Sequence, residues 1–400
     1  MSEFSRFSVF LVLMCFVFGL ISRGLHDSFS VFVPAIEGEL GWSRAEIASI
    51  YACGMIGIGF GGPLVGWLFD RFGPKRLAVA GLVACALATA AASRADALWQ
   101  FQATLGLLYG VGVVALGAVL QTAILSRWFR SRLTTAIAVG YSANGLGMLI
   151  FAPVAQTLIA EGGFRFAYAA FAGLVALVAV PVLFLPWQRI AAGRPDIVVP
   201  AAAGFQRAEG PTLADAMRTF PFWGLTWAFC LTSVGIYALT PQVVALLVEA
   251  GFAPLEAASL YGLSGLLMPV GMVAIGYLAD RVGQRLALTL AYGATVGGVL
   301  ALAFVGSPGD MIFVVIFALL FGLSTGTRGP VIARLAMRYF EGRHQGRIYG
   351  SITVGMGAGG ATGAVLGGII RDSTGGYAGV LALSVVALAL GAMPFYRLTN

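Results

Sequence analysis

The chain has 400 residues, of which 59% are hydrophobic and only 10% charged, too few charges to cover the surface of a soluble protein of this size. The apolar excess must face lipid, which excludes a cytosolic enzyme or a soluble binding module. The formal charge of +7 is spread in small groups along the chain, which excludes a solvated basic face for nucleic acid.

A membrane-crossing helix needs about 20 mostly apolar residues. Runs of that kind occur at 7–36, 47–69, 77–93, 99–126, 133–159 and 166–187, then at 221–248, 257–279, 286–306, 311–333, 348–370 and 376–396. The expected fold is therefore an all-α membrane protein of 12 transmembrane helices in two six-helix bundles, residues 1–187 and 221–400. The stretch 7–22 has the length of a signal-peptide core, but no small-residue cleavage site follows it before Arg23, so it reads as the first half of span 1. The interval 188–220 contains Pro195, Pro200, Gly204, Gly210 and Pro211 and reads as a cytoplasmic linker. At its end Thr212 can cap a short amphipathic helix bearing Leu213, Met217 and Phe220.

Charge sets the orientation. Of 24 lysines and arginines, Arg23 and Arg328 lie within spans, and Arg44, Arg94, Arg165 and Arg371 fall in loops on one side. All the others fall on the side of the two termini, which the positive-inside rule makes cytoplasmic, as for a multi-pass plasma-membrane or bacterial inner-membrane protein. The four cysteines, Cys15, Cys53, Cys85 and Cys230, lie in apolar runs without metal-ligand spacing. No metal, cofactor or enzyme chemistry is expected from them or from the two histidines, His26 and His344.

The chain repeats itself. Gly66-Trp67-Leu68-Phe69-Asp70-Arg71-Phe72-Gly73-Pro74-Lys75-Arg76 returns 210 residues later as Gly276-Tyr277-Leu278-Ala279-Asp280-Arg281-Val282-Gly283-Gln284-Arg285. Gly41, Glu46, Ser49 and Tyr51 return at the same offset as Gly251, Glu256, Ser259 and Tyr261. A period this long is a duplication on the scale of a domain. Glycines four apart (Gly62 and Gly66; Gly359, Gly363 and Gly367) and Gly54 suit spans 2 and 11 for close helix packing, expected here against the opposite half. Pro63, Pro241, Pro269 and Pro330 should kink the spans that hold them.

The repeated stretch resembles the G-x-x-x-D-R-x-G motif of the major facilitator superfamily, in the loop between spans 2 and 3. The first copy holds Gly66, Asp70, Arg71, Gly73, Lys75 and Arg76 and departs only at Pro74; the second keeps Gly276, Asp280, Arg281, Gly283 and Arg285. The resemblance implies a secondary transporter working by alternating access, with Asp70, Arg71, Asp280 and Arg281 as gating residues on the cytoplasmic side. Ser28-Phe29-Ser30-Val31-Phe32 and Gly41-Trp42-Ser43-Arg44 look like bacterial members of the monocarboxylate transporter and oxalate–formate antiporter group. Span 8 (Ser259 to Ala279) lacks the charged residues those relatives carry there, so no substrate site transfers by position.

Arg23, His26 and Asp27 in span 1 and Arg328 in span 10 lie deep in apolar runs, where a charge costs about 2.5–3.5 kcal/mol without a partner or a wet cavity. Positions 23, 26 and 27 share a helix face by spacing. In the resembled fold spans 1, 4, 7 and 10 line a central cavity, which would bring Arg23 and Arg328 together from opposite halves. Two guanidinium groups and one carboxylate suit a small organic anion such as a monocarboxylate. Arg328 is the expected anchor and Arg23 its helper; Asp27, with His26 as second candidate, carries the coupled proton. Tyr109 and Gln121 (span 4), Asn144 (span 5), Tyr237 and Gln242 (span 7) and Thr353 (span 11) are the supporting polar groups expected to reach substrate. The other readings are a proton-coupled exporter of drugs or amphiphilic compounds and a carboxylate/carboxylate antiporter. The transporter is expected to act as a monomer.

Overall fold

The computed structural model describes residues 6–125, 127–129, 133–194, 211–340 and 345–398. His344 and most of the linker, including Pro195, Pro200, Gly204 and Gly210, lie outside the described residues. Where those residues form regular structure, it is helical.

The helices give the twelve expected spans. Span 1 is Arg6–Leu40, span 4 Leu98–Leu125, span 7 Phe220–Glu249, span 8 Pro254–Ile275, span 9 Gln284–Leu302, span 11 Arg347–Thr374 and span 12 Ala378–Leu398. Two helical stretches are too long to cross a membrane once. At about 1.5 Å per residue, Arg44–Ala92 and Leu133–Leu183 would each exceed 70 Å, against a hydrocarbon core of about 30 Å. Each is broken at glycine: Gly73 (φ 74°, ψ 177°) separates spans 2 and 3, and Gly162-Gly163 (Gly163 φ 77°) separates spans 5 and 6. Span 10 runs from Pro308 through the helices Met311–Thr325 and Arg328–Tyr339.

The duplication is written into the backbone. Among the described residues, six of the seven positive-φ glycines fall in pairs, Gly41 with Gly251, Gly73 with Gly283, and Gly163 with Gly375, while Gly193 stands alone after span 6. Each pair ends a span at the equivalent place in its half, where only glycine tolerates the turn. The entries to spans 4 and 10 echo each other too. Gln100 accepts the backbone N–H groups of Asp96 and Ala97, and Asp310 accepts those of Gly306 and Ser307.

Four spans are interrupted mid-course. Span 1 turns at Ser28 between Arg6–Asp27 and Phe29–Leu40; span 7 tightens to a 3₁₀ turn at Thr240–Gln242. Span 4 breaks at Gly117 (φ −83°, ψ −145°), and span 10 breaks at Gly326-Thr327. These are spans 1, 4, 7 and 10, equivalent in pairs under the 210-residue repeat.

The glycine rows pack differently from expectation. A Cβ on Gly359, Gly363 or Gly367 would fall 2.1, 2.4 or 2.3 Å from the carbonyl oxygens of Cys230, Val234 and Ala238, so this row joins span 11 to span 7 of the same half. A Cβ on Gly62 or Gly66 would meet nothing within 4 Å among the described residues. The halves meet instead where Gly59 abuts Gly357 (spans 2 and 11), Gly145 abuts Gly265 (spans 5 and 8), and Gly368 abuts Ala45. Spacing alone identified glycine faces but not the neighbour each face meets. The linker helix is one turn, Leu213–Ala216, closed by a Thr212–Asp215 capping box that holds Asp215 ionised below the usual carboxylate range.

Candidate functional site: a central cavity between the halves

A cavity of 440 Å³ lies between the two halves, within the range of small-molecule sites. Spans 1, 5, 7, 8, 10 and 11 line it. Span 4, expected among the lining, contributes none of its described residues. Its glycine face is pressed onto span 2, where a Cβ on Gly106 would lie 2.5 Å from Cβ of Cys53 and one on Gly110 2.7 Å from the Gly54 carbonyl. Close backbone approach of small residues fixes which way span 4 turns.

Arg23, Asp27, Asn144, Tyr237 and Arg328 all reach the cavity wall, from both halves as expected. Arg23 Nη2 pairs with Asp27 Oδ1 at 3.1 Å along span 1, and both side chains remain partly accessible. Asp27 is the last residue of its helical segment, next to the turn at Ser28. Arg328 opens the second segment of span 10, so the partial positive charge of that helix N-terminus adds to its own. Arg328 is only 2% exposed, and its guanidinium lies 4.4 Å over the ring of Tyr292 in span 9. Nη2 donates to the Thr295 hydroxyl and, at 3.1 Å, to the Ala291 carbonyl. Nε and Nη1 have no hydrogen-bond partner among the described residues.

Other expected site residues are directed elsewhere. His26 turns away from Arg23 and Asp27, because i+3 and i+4 diverge by about 100° around a helix and the i, i+4 pair takes the cavity side. Its ring stacks on Tyr51 at 4.9 Å and lines a small separate pocket with Thr89, Tyr109 and Tyr168. Tyr109 donates its hydroxyl to the Ile21 carbonyl at 3.1 Å, and Gln121 donates to the Leu116 carbonyl at 3.0 Å; neither lines the cavity. Gln242 and Thr353 bond back to their own helices and also stay out of the lining. Of the motif residues, Arg71 lies over Trp67 and Phe72, and Arg281 lies over Tyr277. The side chains of Asp70, Asp280, Pro63 and Pro330 lie outside the described residues.

Sequence reasoning missed the polar cluster that closes the face opposite the termini. Arg44, 6% exposed, pairs with Glu37 at 2.5 Å and with Glu249 of the other half at 3.0 Å. Glu249 also takes Arg371 at 2.7 Å and the Tyr377 hydroxyl at 2.9 Å. Asp372 accepts the backbone N–H groups of Arg44 and Ala45, capping the start of span 2 from the end of span 11. The offset of 210 offered a clue, since Glu249 is the echo of Glu39, itself paired with Arg165 at 2.9 Å.

Interrupted helices in equivalent pairs, three of which line a cavity between two repeats, fit the architecture of a transporter. The chain matches the Major Facilitator Superfamily over residues 9–327. It is a member of that superfamily. Monocarboxylate transporter 13 of Bos taurus is 30% identical over 370 residues, covering 92% of this chain and 83% of that one. The 3-(3-hydroxy-phenyl)propionate transporter of Escherichia coli (strain K12) is 25% identical, covering 97% and 93%. Among solved structures, nucleoside transporter NupG superposes with a TM-score of 0.74 at 13% identity, covering 97% of this chain and 98% of that one. This superfamily member is thus a multi-pass membrane transporter, and the twelve-helix fold read from composition and repeat is the one observed.

Proposed function

We propose that this transporter carries a small organic anion of the monocarboxylate type through the central cavity by alternating access, with Asp27 carrying a coupled proton. The observation that carries this reading is Arg328: a permanently charged group in the cavity wall whose Nε and Nη1 have no partner among the described residues. A buried guanidinium with unsatisfied donors is costly, and a carboxylate supplies the missing acceptors and the missing charge. Arg23, Arg328 and Asp27 sum to +1, which favours an anion over a cationic drug. Two of the relatives are named for carboxylate cargo, a monocarboxylate and a propionate, in line with this reading.

Coupling follows from the Arg23–Asp27 pair. While Asp27 is ionised, Arg23 is neutralised within its own helix; a proton on Asp27 releases Arg23 to the substrate. Proton and anion then bind together and cross together. The face opposite the termini, closed by Arg44, Glu249 and Asp372, is the extracellular side in this reading, with both termini cytoplasmic and the protein in the plasma membrane.

The test is thermal stabilisation of the purified protein by acetate, lactate, benzoate, 3-phenylpropionate and succinate. A ligand that binds only the folded state raises the melting temperature. At least one monocarboxylate should stabilise the wild type and leave Arg328→Ala unmoved. Equal stabilisation of both proteins rules out the anchor.

A further inference from the structure

We infer that Thr295 of span 9 restrains the anion anchor, holding Arg328 so that it offers substrate single N–H contacts instead of a full fork. The inference rests on the anion reading above and adds a residue from a span that contributes nothing to the cavity lining.

The geometry is local and closed. Thr295 is fully buried, and its hydroxyl meets three groups: Arg328 Nη2, the Ala291 carbonyl at 2.9 Å and the Ser324 hydroxyl at 2.6 Å. Tyr292, one turn earlier, lies under the guanidinium, and its hydroxyl is 2.6 Å from that of Thr232 in span 7. Spans 7, 9 and 10 are thereby tied together at the break in span 10.

A guanidinium carries five N–H donors, and Nη2 has two of them. The Thr295 hydroxyl and the Ala291 carbonyl, 2.9 Å from each other, both accept from Nη2 here. A carboxylate is gripped in two parallel bonds by adjacent nitrogens, and Nη2 belongs to both the side-on and the end-on pair. With Nη2 occupied, Nε and Nη1 remain, and they do not form such a pair. The anchor therefore binds at one point and releases readily, a useful property in a carrier that must let its cargo go. Removing the Thr295 hydroxyl leaves Nη2 short of an acceptor and free to close a fork on the anion. Thr295 is thus a positioning residue whose loss tightens binding.

The experiment is uptake of radiolabelled lactate, benzoate and 3-phenylpropionate into proteoliposomes by wild type, Thr295→Val, Thr295→Ala, Thr295→Ser and Arg328→Ala. Two different removals are used so that one of them folds; folding is judged by melting temperature without substrate. For the carboxylate carried by the wild type, the added charge-assisted bond should lower KM roughly tenfold in Thr295→Val or Thr295→Ala. Maximal rate should fall alongside, and Thr295→Ser should match the wild type. A packing defect would lower rate and stability but would not lower KM. An unchanged or higher KM in a folded removal variant overturns the inference, even if Arg328→Ala abolishes uptake and the anion reading stands. If the wild type carries none of the three and Arg328→Ala changes nothing, the anion reading falls and takes this inference with it.

Discussion

Asp372 accepts the backbone N–H of Arg44 at 3.0 Å, across 328 residues of sequence and across the seam between the two halves. A carboxylate at the end of span 11 thus caps the start of span 2, where the helix dipole favours negative charge. Arg44 then reaches from the same place to Glu249. One residue holds the closed face by its backbone and by its side chain.

Asp372→Asn or Glu249→Gln should therefore open that face. Each removes a charge that a buried arginine or a helix end relies on, and the cost falls only on the closed conformation. In a cysteine-free background, a Ser233→Cys probe in the cavity wall should label several-fold faster with a membrane-impermeant thiol reagent applied from the side opposite the termini. Labelling at the wild-type rate would show that the cluster does not hold the seam.

Asp27→Asn should separate binding from coupling. The substitution permanently removes the carboxylate that neutralises Arg23, so substrate binding should persist and counterflow exchange should continue. A pH gradient should no longer drive accumulation in proteoliposomes. Accumulation at the wild-type level would place the proton elsewhere.

Two glycines make a contrast between state and stability. A Cβ on Gly145 would fall 1.9 Å from the Gly265 carbonyl across the seam, whereas one on Gly271 would fall 1.7 Å from the Leu323 carbonyl within one half. Gly145→Ala should push the halves apart beside the cavity, changing probe labelling with little loss of melting temperature. Gly271→Ala should cost about 1–3 kcal/mol of stability by overpacking, seen as a lower melting temperature with labelling unchanged.

Gly73 and Gly283 should behave alike. Their backbones (φ 74°, ψ 177° and φ 93°, ψ 153°) occupy a region that side chains strongly disfavour. Alanine at either should cost about 1–3 kcal/mol, and the two losses, far apart in the fold, should add in the double variant's melting temperature.

Much of this was legible in the sequence because it depends on local rules. Twelve apolar runs and a repeat of 210 residues point to the fold class, and Gly73 and Gly283 of the repeated motif turn out to be positive-φ turns at equivalent places. Arg23, Asp27, Asn144, Tyr237 and Arg328 were legible because a polar group in an apolar span must find a cavity or a partner. What the sequence did not show was direction. His26 shares a helix turn with Asp27 yet faces Tyr51, and Tyr109 and Gln121 sit on a span whose glycines bind it to span 2. The Arg44–Glu249–Asp372 cluster was hidden for another reason: its members resemble ordinary charges at loop ends until the fold brings residues 205 and 328 positions apart together.

The central claim is that Arg328 holds the substrate's negative charge. Direct binding of benzoate, by calorimetry on purified wild type and on Arg328→Ala and Arg328→Lys, tests it most plainly, provided benzoate is among the carboxylates that stabilise the wild type. The account predicts saturable binding to wild type, weaker binding to the lysine variant, which keeps the charge but not the planar donor set, and none to the alanine variant. Equal affinity in all three proteins would contradict it.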